Sequence, residues 1–176
     1  MSLRLIYHII IKYGEGMIGM LKMEIADLMK SVNRNNRTLN RNIQVVQSYF
    51  GLGNQANPTY DSVSREFGVG SRERVRQIKT GKFVNRIHKE DFSMLASISN
   101  IIEQNDIWYV DDLIQKLFQE GFCDKDVHIK GLIRLLQTFD YCQEYQLLNL
   151  DMEQATEENF VRKAKLLLMK ESSQET

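Results

Sequence analysis

Proline is nearly missing from this chain: its 176 residues hold one, at Pro58. Each proline inside a helix removes a hydrogen bond and adds a clash, so its scarcity removes the commonest helix breaker. Ten glycines, with many Leu, Ile, Lys, Glu and Gln, lean the chain towards helix as well. Cysteine is almost as scarce. Cys123 and Cys142 give no framework for disulfides, which suits a reducing cytoplasm. With His128 they are the one hint of a metal set, and their spacing matches no paired zinc signature; buried small hydrophobes and a surface histidine account for them. His8 and His88 are isolated. No apolar run reaches the length of a membrane span. The opening LRLIYHIII is short, Arg4, His8 and Lys12 interrupt it, and it lacks a small-residue cleavage signature, so it reads as a packed helix. GEGMIG, from Gly14 to Gly19, lacks the lysine of a P-loop and the strand context of a dinucleotide site. Asp111-Asp112 reads as helix capping, not as a catalytic pair. The chain is therefore read as a non-enzyme, with no catalytic residue, cofactor or metal assigned.

Charge of one sign is missing only on average. The net charge is zero, yet residues 31–90 hold eleven Lys and Arg against four Asp and Glu, a balance of +7. Residues 91–176 hold eight against sixteen, a balance of −8, and residues 1–30 carry +1. A basic central block is the footprint of a nucleic-acid binder, because each cation near a phosphate releases condensed counterions. The acidic last half should avoid DNA and is better suited to protein contacts or solubility.

At 43% hydrophobic and 26% charged residues, the composition is that of an ordinary soluble protein, long enough for two small units. Residues 1–36 read as an N-terminal helical segment in two pieces broken near Gly14, the later one lined by Met20, Met23, Ile25, Leu28 and Met29. It is expected to pack on the next unit or on a second copy. The polar run from Ser31 to Asn42 reads as a loop or a helix junction. Residues 37–90 form the basic unit. Residues 91–150 then give a stripe of Phe92, Leu95, Ile98, Ile101 and Ile102, and a β-prone run from Ile107 to Val110. An amphipathic helix comes next, capped by Asp111 and stopped at Gly121, with Leu113, Ile114, Leu117 and Phe118 inward. A third helix is capped by Asp124, and a strand pair or ribbon runs from Tyr141 to Leu150. That order is the order of a winged-helix domain. Residues 151–176 read as a C-terminal helix, about Glu157 to Met169, and a tail. The expected fold is all-α, mainly helical, with a small β-ribbon.

The stretch from Thr59 to Lys79, TYDSVSREFGVGSRERVRQIK, is the most informative text. Val63 and Phe67 share one face of a first short helix that starts at Thr59. Gly68 and Gly70 interrupt it, and Ser71 is a natural N-cap for a second helix. Val75 and Ile78 give that helix a narrow buried edge, so Arg72, Glu73, Arg74, Arg76, Gln77 and Lys79 face outward. Arg offers a bidentate fork to guanine, Gln pairs with adenine and Glu accepts from cytosine, as major-groove reading requires. The spacing predicts a helix-turn-helix.

SREFGVGSRERVRQI resembles the recognition unit of region 4 of the bacterial sigma-70 family, whose recognition helix usually runs Thr-Arg-Glu-Arg-Ile-Arg-Gln-Ile. Ser71 to Ile78 departs from it only in Ser for Thr and Val for Ile. Upstream, Tyr49-Phe50-Gly51-Leu52 is similar to the Arg-Phe-Gly-Leu helix stop of that region. The resemblance covers Arg41 to Arg86, roughly a quarter of the chain. The Gly68-Val69-Gly70 turn is one residue longer than the family spacing, and no promoter-melting domain is recognisable. The resemblance implies that Arg72, Glu73, Arg76 and Gln77 face bases. Arg74 and Lys79 are placed for phosphate, as are Thr59, Ser71 and Lys82, with Arg65, Arg37 and Arg41 as weaker candidates. It also implies that the Val45, Val46, Tyr49, Phe50 and Leu52 group, otherwise core, helps to grip RNA polymerase.

The function this supports is a cytoplasmic, sequence-specific double-stranded DNA-binding transcription regulator, whose reader is the helix from about Ser71 to Lys82. Two other readings stand beside it: a sigma-like module that engages RNA polymerase with little DNA affinity, and the DNA-targeting part of a larger phage or defence enzyme. One half-site binds weakly, so a homodimer or tethering to polymerase is expected, and no membrane partner is.

Overall fold

A polar run, two glycines and a five-residue step between apolar positions decide how the helices of this chain meet. The computed structural model describes residues 19–34, 37–53, 58–149 and 166–170. Within them the protein is mostly helical, with one small antiparallel sheet. The first of the two N-terminal helices, before Gly14, lies outside the described residues. The second is α1 (Met20–Val32), which buries Leu21, Ile25 and Met29 at a strict four-residue spacing. Met23, expected on that stripe, is 52% exposed, because the inward face is the one that Leu21 begins.

Two carboxylates from distant parts of the chain hold the helix starts. Asp124 accepts from the Gly19 N–H at 2.9 Å and pairs with Lys22, while the Met20 and Leu21 N–H groups donate to the carbonyls of Gly121 and Phe122. Asp124 is thus no cap for the helix after it, which begins only at Ile129. Its carboxylate goes to the start of α1 instead, to the Gly19 N–H and the Lys22 ammonium. Glu24 of α1 in turn accepts from the Ser93 and Met94 N–H groups at 2.8 and 3.1 Å, capping α5 (Ser93–Ile102).

The polar run from Ser31 is a helix junction rather than one long loop, since α1 reaches Val32 and α2 (Leu39–Tyr49) starts inside the run. Asn33 and Asn42 are buried there, and Asn33 Nδ2 donates to the carbonyls of Met29 and Lys82, at 2.9 Å each. The helix pair α3 (Tyr60–Phe67) and α4 (Arg72–Lys79) comes next, and α4 runs directly into a π turn, Thr80–Val84. Val75 and Ile78 face inward, but the next buried side chain is Phe83, five residues on and out of α register. One extra residue in the turn restores the register and carries Phe83 into the core. Its ring lies 5.7 Å from Phe50, 6.1 Å from Phe92 and 5.4 Å from Phe139, centroid to centroid.

After α5 come β1 (Ile107–Tyr109), α6 (Val110–Gln119), α7 (Ile129–Thr138), β2 (Tyr145–Asn149) and β3 (Leu166–Lys170). Tyr109 is the N-cap residue of α6, so Asp111 does not cap it; Asp111 and Asp112 lie in its first turn, where carboxylates complement the helix N-terminus. Tyr141 to Leu150 supplies one strand rather than two. Its partner is β3, the central strand of the order β1-β3-β2, with Leu147 opposite Leu168 and Trp108 opposite Leu168 on the other side. The C-terminal helix expected to Met169 is therefore corrected from Leu166 onward; Glu157 to Lys165 lie outside the described residues. The apolar run from Leu166 to Met169 fits a strand paired on both edges, a pattern that a short run shares with a buried helix.

A single core joins the basic unit to the acidic half of the chain. α7 buries Ile129, Gly131, Leu132, Ile133, Leu135 and Leu136, and its start packs against the turn after α2. There the His128 N–H donates to the Gly51 carbonyl at 2.8 Å, and a Cβ on Gly131 would lie 2.5 Å from both Gly51 N and Phe50 C. Only glycine permits that backbone approach. Gly131→Ala is expected to cost about 2–4 kcal/mol in urea unfolding. Gly81→Ala, where a Cβ meets nothing within 4 Å, should stay within about 0.5 kcal/mol of the parent.

Candidate nucleic-acid interface

Two caps and a glycine turn set the geometry of α3 and α4. Thr59 Oγ1 accepts from the Ser62 N–H at 3.1 Å, and Ser62 Oγ accepts from the Thr59 N–H at 2.9 Å, a closed capping box. α3 stops at Gly68, in the left-handed region at φ 58°. Ser71 then caps α4, its hydroxyl accepting from the Arg74 N–H at 3.2 Å. Val63, Val75 and Ile78 are buried as expected, whereas Phe67 is only half-buried at the end of its helix.

Arg72, Glu73, Arg74, Arg76 and Gln77 are all exposed on α4. Four of these five are linked. Arg76 donates from Nε to Glu73 Oε2 and from Nη2 to Glu73 Oε1, each at 2.8 Å. Gln77 Nε2 reaches the same Oε1 at 3.3 Å, and Arg74 Nη1 donates to Gln77 Oε1 at 3.2 Å. The Arg76 hydrogen bond holds the Glu73 carboxyl below its ordinary range, and Glu73 raises Arg76 in return. The face is a ribbon of hydrogen-bonding groups with fixed order along one helix.

The candidate phosphate contacts are placed less uniformly. The Thr59 and Ser71 hydroxyls are committed to the Ser62 and Arg74 N–H groups, leaving the N–H groups of Tyr60 and Asp61 in α3 and of Arg72 and Glu73 in α4 as the donors at those ends. Arg65 is exposed, with Nε 3.4 Å from the Asp61 carbonyl. Lys82 is half-buried in the π turn. Lys79 is half-buried too, its ammonium 5.7 Å from the Tyr49 ring and 5.8 Å from the Tyr60 ring. Arg41 and Arg37 are exposed, at the start of α2 and just before it. The proposed polymerase-gripping group is core: Val45, Val46 and Phe50 are fully buried, and Tyr49 and Leu52 nearly so.

Sequence reasoning missed the brace behind α4. Tyr49 and Tyr60 stack at 4.6 Å, and the Arg134 guanidinium of α7 lies 4.8 Å from the Tyr49 ring. Arg134 Nη1 also donates to the Pro58 carbonyl at 3.1 Å. One side chain of the acidic half thereby fixes the approach to α3. Tyrosines closing one helix and opening the next were a usable signal; the arginine, 74 residues from Tyr60, was not.

Cys123 and Cys142 are buried, and burial pushes the Cys123 thiol up to about 12 and raises Cys142. Among the described residues no three His, Cys, Asp or Glu side chains gather into a set that could hold a metal. Compared with family models, curated proteins and solved structures, the chain finds no match.

Arg134→Ala should lose about 1–3 kcal/mol of stability in chemical unfolding, from its carbonyl bonds and its contact with Tyr49. Both cysteines should resist a thiol reagent at pH 8 until denaturant is added, since a raised pKa keeps them as thiols; the colorimetric rate with and without urea checks this.

Proposed function

We propose that this chain is a sequence-specific double-stranded DNA-binding transcription regulator, with α3 and α4 acting as a helix-turn-helix of the sigma region 4 type. The observation that carries the reading is α4 itself. It spends two residues on the core and exposes Arg72, Glu73, Arg76 and Gln77, the side-chain types that discriminate base edges. Arg74, Arg65 and the N–H groups of Tyr60, Asp61, Arg72 and Glu73 supply phosphate contacts that set register without reading sequence. The +7 balance of residues 31–90 supplies the attraction that precedes reading.

We read α5, β1, α6, α7, β2 and β3, by the analogy of their order alone, as a winged-helix-like unit with a bracing and partner role. α7, the helix that would read DNA in such a unit, turns six residues into the core and gives Arg134 to the brace. Reading therefore falls to α4 alone, and a second copy or a polymerase tether is needed to bring affinity to a useful level.

A protein-docking reading is favoured by one observation. A groove of about 740 Å³ opens between α1, α2 and the end of α3, with Met23, Ala26, Ile43 and Phe67 along it. Lys22, Asp27, Lys30, Gln44, Gln47 and Glu66 line it as well, so it suits a partner segment of mixed polarity, and RNA polymerase is the partner that the resemblance names.

Selection from a random duplex pool at two salt concentrations decides between them. The expected result is an enriched motif that is lost in Arg76→Ala, while Arg65→Ala weakens all duplexes alike and lowers the salt slope by about one. Absence of salt-sensitive duplex binding, with RNA polymerase retained by both parent and Arg76→Ala, would overturn DNA reading in favour of docking.

A further inference from the structure

We propose that Glu73 masks the reading face of α4 when the protein is off its site, and so determines specificity through Arg76 and Gln77. This rests on the DNA-binding function proposed for α4 and adds a device to it. An arginine recognises guanine, or clamps a phosphate, with the same parallel N–H groups. In Arg76 two such donors, Nε and Nη2, are already filled by the two oxygens of Glu73 at 2.8 Å. The same carboxylate takes the Gln77 amide at 3.3 Å, and Gln77 in turn takes Arg74. A phosphate approaching Arg76 by this edge thus meets occupied donors and a carboxylate of its own sign.

The mask is easily opened. The Arg76 and Glu73 side chains are 55% and 53% exposed, and exposed pairs three residues apart are weak. A matched site returns what it displaces: guanine acceptors refill the Arg76 fork, and a cytosine amino group gives Glu73 a donor. A mismatched site or bare backbone fills the fork and leaves Glu73 facing phosphate unpartnered. The cost of Glu73 therefore falls on the wrong sites. Specificity is a difference of affinities, and this residue works on the weaker side of it.

Glu73→Gln keeps the size and hydrogen-bonding capacity of the side chain and removes its charge. The test is anisotropy of a fluorescein-labelled duplex of scrambled sequence, titrated across a series of KCl concentrations. Asp111→Asn, an exposed change of equal charge on α6, serves as control. Glu73→Gln should bind the scrambled duplex about three- to tenfold tighter than parent, with a salt slope steeper by up to about one. Asp111→Asn should match the parent, and Arg76→Gln should erase the gain when combined with Glu73→Gln. Equal gains in Glu73→Gln and Asp111→Asn would reduce the effect to net charge and overturn the mask. Binding by every form with one slope would overturn it too, leaving DNA binding intact. No duplex binding by any form would overturn both.

Discussion

The aromatic packing around Phe83 is the constraint on which the rest of the structure depends. Its ring meets Phe50 from the end of α2, Phe92 from the start of α5 and Phe139 from the end of α7. Phe92 and Phe139 also meet each other at 4.6 Å. Four rings from four parts of the chain thus share one site, and a buried aromatic carries more apolar area than any other side chain there. The helix that supplies Phe83 must widen into a π turn to deliver it. The direction of α4 is consequently set from behind by the acidic half of the chain, not by α3 alone.

Local signals were the legible ones. Ser71, Gly68, Val75 and Ile78 each act within a few residues, and the cap, the stop and the buried edge fall where the spacing places them. The stripe of Phe92, Leu95, Ile98, Ile101 and Ile102 is likewise buried throughout. What failed was non-local. Asp124 reads as a cap for the next helix because nothing in the text shows Gly19 beside it. Leu166 to Met169 reads as helix because the strands that flank it begin at Ile107 and Tyr145. The π turn had a trace, the five-residue step from Ile78 to Phe83, which an α-helical period passes over.

Charge and packing are divided between opposite sides of α4. Its inner edge is apolar; its outer face carries Arg72 and exposed pairs that are each worth little in water. Such a division suits a surface that must exchange its own hydrogen bonds for those of a ligand without disturbing the fold. Lys79 and Arg134 lie at the boundary, their charges set over the tyrosine rings rather than extended towards solvent. They belong to the frame more than to the face.

The meeting of Gly51 and Gly131 bears on how this architecture can be reused. Side chains elsewhere in the core can change volume and be repacked, but this junction has none to change: backbone rests on backbone, with the His128 N–H bonded to Gly51. It acts as a datum from which the positions of α2 and α7 are measured, and α4 inherits its aim from both. A helix face aimed in this way is not portable. Grafting residues 59–79 onto another scaffold would transfer the chemistry of the face without the alignment that the datum supplies.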